Sequence, residues 1–147
     1  MTAVISFENY YVKNISYQPN ENFKAPDNGI DLKVDFSVNI GVDSKNAVVE
    51  LSSEIGDEFE EGQPFNLDLT IVGLFEYQGN KNEPMQEFNN YLKQNAIAIL
   101  FPYLRSLISD ITSRSNQFPA YTLPVMNIAE MLKDNNSIKF QFFNNES

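Results

Sequence analysis

The chain has 147 residues, a net charge of −10, and neither cysteine nor histidine. The length fits a single domain with one core. The missing residue types exclude disulfides, thiol nucleophiles, the usual zinc sites and the most common general base. No run of about 18 apolar residues is present, so we expect no membrane insertion. The N-terminal sequence MTAVISFENYY lacks the basic and apolar regions of a secretory signal, which predicts a cytoplasmic protein.

The acidic charge is concentrated in one part of the chain. Residues 21–70 carry twelve acidic residues and three lysines, which gives this stretch a net charge of −9. Such a balance disfavours nucleic acid as a partner. It is typical of a solvated sheet face that maintains solubility, and it also fits a landing site for a basic partner.

The first half of the chain predicts four strands. Residues 4–17 are rich in β-branched and aromatic residues. Apolar and polar residues alternate over 30–42, 47–55 and 65–77, so each strand has one dry and one wet face. This pattern predicts an antiparallel sheet that is covered on one side. The alternation fails at Val72 and Leu74, which place apolar groups on the wet face. Two interpretations are open: a loop or another subunit covers them, or they extend an exposed apolar binding surface.

The second half of the chain predicts helices, over about 85–98, 99–115 and 128–134. Pro102 lacks an amide hydrogen and clashes with the preceding turn, so we expect a break or kink near 98–101. The tail, 135–147, contains IKFQFF. It is interpreted either as an edge strand or as a segment that fills a groove of its own protein.

The long helix is apolar around more of its circumference than one sheet can cover. Two apolar stripes of four residues each lie side by side on it. We expect a second subunit to cover the apolar surface that the sheet leaves exposed. The stripes are Leu100, Tyr103, Leu107 and Ile111, and Ile97, Phe101, Leu104 and Ile108.

No pattern in the sequence indicates an enzyme. The carboxylates at 57–61 lie beside glycines without apolar neighbours that would raise a pKa. They also lack the spacing of a calcium loop, and the chain has no phosphate-binding glycine loop and no GxSxG motif. We therefore expect no catalytic residue, no metal and no cofactor.

With no catalytic or metal site expected, the function predicted from the sequence is binding through apolar surface. Residues 118–132 form short pieces separated by Pro119 and Pro124, and such pieces cover a core incompletely and leave grooves. Methionine and aromatic side chains suit a surface that accepts many sequences.

The segment 95–127 resembles the SecB-type protein-export chaperones, including their toxin–antitoxin branch. The resemblance extends at lower identity from about Phe7 to Leu132. The matching residues are Leu100, Phe101, Pro102, Tyr103, Arg105, Ile108, Ser113, Arg114, Phe118, Pro119, Leu123, Pro124, Val125 and Asn127.

The resemblance implies a single α+β domain over 1–147, with a four-stranded antiparallel sheet that has one face covered by a long helix and a shorter C-terminal helix. It implies a homotetramer, a dimer of dimers, whose long helices pack between the sheets. It also implies an ATP-independent chaperone that binds non-native polypeptides in apolar grooves. The implied groove residues are Leu74, Phe75, Tyr77, Phe88, Tyr103, Phe118, Leu123, Met126, Ile128 and Met131.

Export and three alternatives to it stay open. Export members of the family deliver clients to the SecA motor through the exposed sheet face, and the matching positions here are Asn14, Gln18, Asn66 and Asp68. Of these only Asp68 carries a carboxylate. The alternatives to export are service to the antitoxin of a toxin–antitoxin system, a binding module for a single peptide, and a tetrameric scaffold whose grooves are filled by the tail.

Overall fold

Four long antiparallel strands form the body of the sheet. The computed structural model describes residues 5–78, 85–124, 126–134 and 138–142. Strand β1 pairs with β4, β4 with β3, and β3 with β2. The strands are β1 (Ile5–Pro19), β2 (Val34–Asp43), β3 (Asn46–Gly56) and β4 (Phe65–Tyr77).

Strand β2 begins at Val34, four residues after the predicted start. The neighbouring strand β3 reaches only as far as Lys33, whose carbonyl accepts a hydrogen bond from Gly56 N at 2.8 Å, and a side chain holds the other backbone groups here. Gln63 Oε1 accepts a hydrogen bond from Lys33 N at 3.0 Å, and Gln63 Nε2 donates to Asp31 O at 2.8 Å. Because these backbone groups are already satisfied by Gln63, the apolar alternation at Ile30 and Leu32 does not produce sheet pairing.

The long helical stretch contains a π-helical turn. Helix α1 (Met85–Tyr91) continues through the turn Leu92–Ala96 into α2 (Ile97–Arg114). The break expected near 98–101 is therefore wrong, because Pro102 lies inside α2 and the irregularity precedes it by more than one turn. A shorter helix, α3 (Ile128–Asp134), follows the irregular segment.

A ladder of buried residues runs along the helix through the π turn. Its seven members are spaced four residues apart, and each is at most 1% exposed. In a regular helix of about 3.6 residues per turn, each such step rotates about 40° past a full turn. The ladder therefore winds around the helix, and the wider π turn reduces this rotation between Leu92 and Ala96. The ladder comprises Phe88, Leu92, Ala96, Leu100, Leu104, Ile108 and Thr112.

The predicted pair of stripes on α2 is thus partly wrong. Leu100 belongs to the buried ladder, whereas Tyr103, Leu107 and Ile111 continue a separate stripe that is half-buried or exposed. The helical segment Phe88–Arg114 also meets the length and composition criterion of a membrane span. The core helix of a soluble protein meets the same criterion, and the ladder accounts for the apolar composition here.

The helix lies directly on β4 at Gly73. A Cβ atom placed there would be 2.7 Å from Leu100 Cδ2 and 2.7 Å from Phe75 Cε2, which is closer than carbon atoms approach. Glycine at this position therefore sets the distance between helix and sheet. The confirmed architecture is α+β, with one sheet face covered by the long helix and the short C-terminal helix.

The other sheet face is exposed, and its own side chains cover the apolar residues on it. Val72 is fully buried although it points away from the helices. Its neighbours in register are Tyr11 and Glu50. Lys13 Nζ on β1 donates to Glu50 Oε1 on β3 at 2.6 Å, so this ion pair crosses over β4 beside Val72. The hydrogen bond to Glu50 also raises the pKa of Lys13. Val72 is therefore covered within the chain.

The tail contributes a fifth strand to the sheet. Strand β5 (Ile138–Phe142) pairs in parallel with β2, which gives the order β1-β4-β3-β2-β5 within the described residues. The edge-strand interpretation of the tail is the one that the structure shows. The rest of the predicted tail, 135–137 and 143–147, lies outside the described residues.

The Gly73→Ala substitution tests the contact between helix and sheet. We expect the free energy of unfolding to fall by about 1–3 kcal/mol, because Leu100 and Phe75 are buried and have little room to move. Urea denaturation at one fixed protein concentration measures the change. The matched control is Gly62→Ala, whose Cβ would meet only Pro26 Cγ at an ordinary 3.7 Å. An equal loss in both variants would contradict this account of the packing.

Candidate binding groove

A cavity of about 730 Å³ lies on the outer side of the long helix, where α1, the π turn and α2 face the start of α3. Its interior is apolar and its rim carries amides and charges, which is the usual composition of a ligand site. The apolar lining is Ala98, Phe101, Pro102, Met126, Ile128 and Ala129, and the polar lining is Asn90, Lys93, Gln94, Asn127, Glu130 and Lys133.

A second depression of about 480 Å³ continues from the first along α2. Pro102 lines both, so the two depressions adjoin on one side of the helix; their helix residues run from Asn90 to Ser113, and we refer to the pair as the groove. At about 1.5 Å per helical residue this path is roughly 35 Å long, and an extended peptide of about ten residues would span it. The second part is polar, and its other lining residues are Arg105, Ser106, Ser109, Asp110, Ser113 and Thr122.

Two side chains of α2 hold the irregular segment that forms the far wall of the groove. Arg105 Nε donates to Leu123 O at 2.5 Å. Thr112 Oγ1 accepts a hydrogen bond from Tyr121 N at 2.8 Å and donates to Ile108 O at 2.8 Å. These bonds satisfy backbone groups that no regular element pairs, and they fix residues 121–123 beside the helix. Burial of the Tyr121 hydroxyl raises its pKa.

The start of α3 is fixed by Asn127. Its Oδ1 accepts from Glu130 N at 3.2 Å, and its Nδ2 donates to Glu130 Oε2 at 3.2 Å. This reciprocal pair is a capping arrangement that sets where the helix begins. It thereby places Met126 and Ile128 at the mouth of the cavity.

The predicted groove residues do not all reach this surface. Met126 and Ile128 line the cavity, and Met131 is half-buried on α3. Tyr103 is 38% exposed and stacks on Tyr10 with ring centroids 4.4 Å apart. The others in the helix-facing set are buried in the core of this chain, namely Phe75, Tyr77, Phe88 and Leu123.

Two further members of the predicted groove lie elsewhere. Leu74 is on the exposed face of the sheet, in register with Asn9 and Val48. Phe118 packs edge-on against Phe23, with ring centroids 5.5 Å apart, and near Phe65. Sequence reasoning missed Ala98, Phe101 and Pro102 as lining residues. Ala98 and Pro102 are exposed, and only the orientation of the helix in the fold reveals this.

The helix residues predicted for oligomer contacts divide into two groups. Leu107 and Ile111 are half-buried and lie on the stripe with Ile99 and Tyr103. The others fill the core of this chain, namely Ile97, Leu100, Phe101, Leu104 and Ile108.

The comparison with known families decides the family. The sequence model of the family described as SecB, preprotein translocase subunit, matches residues 1–138. This match covers nearly the whole chain. The protein belongs to the SecB family.

Individual relatives agree with this assignment. The protein-export protein SecB of Acidithiobacillus ferrooxidans is 29% identical over 132 residues, which is 84% of this chain and 84% of that protein. An uncharacterized protein of Methanocaldococcus jannaschii is 31% identical over 146 residues, covering 93% of this chain and 88% of the relative. The members of the SecB family are chaperones.

A solved structure shares the fold. It is a Mycobacterium tuberculosis SecB-like chaperone in complex with a ChAD peptide from the HigA1 antitoxin. The TM-score is 0.68 at 19% identity, and the match covers 83% of this chain and 90% of that one. This similarity supports the SecB-like arrangement of sheet, long helix and short helix.

The four positions predicted from SecB for motor docking gather on the exposed sheet face. Gln18 is in register with Asn66, Ser16 with Asp68, and Asn14 with the next row along β4. The register also shows what the sequence did not, because Asp68 faces Glu54 on β3 and Glu54 faces Asp35 on β2. One row of the sheet therefore carries three carboxylates. Among the described residues, no group of carboxylates is arranged to hold a metal ion.

The Thr112→Val substitution tests how the groove wall is held. It removes the acceptor of the Tyr121 amide while keeping a side chain of similar shape. We expect the Tyr121 amide to exchange hydrogen at least about tenfold faster and the free energy of unfolding to fall by about 1–2 kcal/mol, because a partly buried donor loses its partner. Nuclear magnetic resonance measures the exchange.

The matched control is Thr122→Val, which removes an exposed hydroxyl 3.4 Å from Ser109 Oγ. Little change is expected there. Unaltered Tyr121 exchange in Thr112→Val would mean that other contacts hold the wall.

Proposed function

We propose that this protein is an ATP-independent chaperone that holds unfolded polypeptides in the groove along α2. The observation that carries the proposal is the groove itself, which combines an apolar section, a polar section and a length of roughly 35 Å. Membership of the SecB family supports the same function. We place the protein in the cytoplasm, with non-native chains as its clients and without a cofactor.

The chemistry of the groove suits a client of variable sequence. Ala98, Phe101, Pro102 and Met126 offer apolar contact without a directional demand, and Met126 adapts its shape to different side chains. The amides and charges on the rim offer hydrogen bonds to an extended backbone. A folded protein would present neither a narrow apolar strip nor free backbone groups to such a groove.

We further propose a homotetramer, in which a second subunit covers the apolar stripe of Ile99, Tyr103, Leu107 and Ile111. These residues are half-buried or exposed in one chain, and each lies about 100° around the helix from the buried ladder residue that follows it. A symmetric contact between two such stripes would extend the groove from one subunit to the next.

For the destination of clients, our first hypothesis is export through SecA. The row of Asp35, Glu54 and Asp68 supports it, because three carboxylates on an exposed face suit a basic partner. The second hypothesis is service to an antitoxin, and its support is the shared fold with the antitoxin-bound relative. A third hypothesis is a module for one peptide, which would protect one client only.

The Met126→Asp and Ala98→Asp double variant tests the groove. Charges at two positions of its apolar section should weaken binding of an unfolded protein at least about tenfold, because each buried charge loses its hydration. Suppression of aggregation is measured with several unrelated proteins that unfold on heating. Protection of all of them by the wild type indicates a general holdase, and protection of one indicates a dedicated module.

The matched control is Ala25→Asp, which adds a charge at an exposed loop position away from the groove. It should hold clients as the wild type does. Both proteins should keep the circular dichroism of the wild type. Full suppression of aggregation by the double variant would place the client site elsewhere.

The Leu107→Asp substitution tests the tetramer. A charge in the stripe should dissociate subunits, so light scattering should report a lower mass than for the wild type. The neighbouring Ser106→Asp carries the same charge at a position outside the stripe and should keep the wild-type mass. A wild-type protein that is monomeric would end the tetramer proposal.

A further inference from the structure

The edge of β2 is where the described sheet departs from its antiparallel pattern. There β5 is added in parallel, with Val38 in register with Ile138 and Ile40 with Phe140. Without β5, β2 would be an edge strand with unpaired N–H and C=O groups. Its apolar residues Val38, Ile40 and Val42 belong to the hydrophobic core and are at most 2% exposed.

We propose that this edge is a second client site, of the strand-addition type, which β5 covers in the free protein and which an extended client segment takes by displacing β5. The inference rests on the proposed chaperone function. The occupant it commits to is a stretch of unfolded chain with apolar residues at every second position.

Strand β5 itself shows what fits the edge. Its sequence, IKFQF, alternates apolar and polar residues, and its apolar positions are those in register with the buried residues of β2. Such a segment is common in unfolded proteins because it is the pattern of any half-buried strand. Strand addition takes most of its affinity from backbone hydrogen bonds, so it tolerates many sequences.

The pairing of β5 is suited to exchange. The strand is five residues long, follows α3 after three residues, and joins the sheet in the parallel arrangement, which is slightly weaker per residue. β3 pairs with β2 over ten residues on the other side, so β2 keeps its place when β5 leaves.

The edge is also close to the groove. Helix α3 contacts β2, and its residues Ala129, Glu130 and Lys133 line the 730 Å³ cavity. A client that fills the groove therefore has the β2 edge within reach across one short helix. Binding at both places would hold one chain at two points and raise its overall affinity.

A reversible disulfide tests the inference in the full-length chain. Asn39 and Lys139 are in register, and neighbouring strands are about 4.8 Å apart, which is within the span of a disulfide. The natural chain has no cysteine, so Asn39→Cys with Lys139→Cys introduces the only two thiols. Oxidation should lock β5 on β2, and failure of the bond to form would overturn the inference.

The probes are a labelled peptide with the sequence IKFQF and reduced, carboxymethylated lactalbumin as a permanently unfolded protein. Relative to the reduced protein, the oxidised protein should bind the peptide at least tenfold more weakly and the lactalbumin about fivefold more weakly. A control peptide, IKSQS, should bind neither form. The wild type in both buffers controls for the reductant.

A second variant shifts the balance in the opposite direction. Phe140→Asp places a residue that strands disfavour in the centre of β5, so β5 should compete less well and the peptide should bind several-fold more tightly. Equal affinities in the oxidised and reduced proteins would overturn this inference and leave the groove proposal intact. Absence of lactalbumin binding in both redox states would overturn the chaperone proposal instead.

Discussion

The structure depends on the close approach of the long helix to β4 at Gly73. A ladder of buried residues spaced four apart, from Phe88 to Thr112, runs along the helix through the π turn at Leu92–Ala96. The glycine lets Leu100 reach the sheet where any larger residue would separate the two layers. The buried side of the helix is thus fixed, and its outer side is left for other contacts.

The groove is a consequence of that arrangement. The irregular segment after α2 cannot form a regular element, because its prolines prevent one, so its backbone is satisfied by Arg105 and Thr112 instead. This attachment keeps the segment beside the helix while leaving a channel between them. The lining is apolar near Met126 and polar near Asp110, so the proposed client would meet both kinds of contact along the helix.

The sheet has two edges and one open face, and each has its own chemistry. The open face carries the acidic row and the ion pair from Lys13 to Glu50 that shields Val72. The β2 edge is covered by a strand of the chain's own tail. The tail thus places an extended segment of the chain on its own sheet, at the edge where we propose that an extended client segment binds.

The sequence alone determined the strands, the one-sided sheet, the apolar helix and the family, because alternation, helical spacing and the motif around Pro102 are local signals. The π turn was not predicted, and the start of β2 depended on a contact distant in sequence, namely the side chain of Gln63. The site was predicted less well. Phe75 and Phe88 are apolar residues like Met126, and only the tertiary structure decided that the first two are buried in the core while Met126 faces the groove. The acidic row escaped prediction for the same reason, since Asp35, Glu54 and Asp68 are far apart in the chain and strand register alone brings them together.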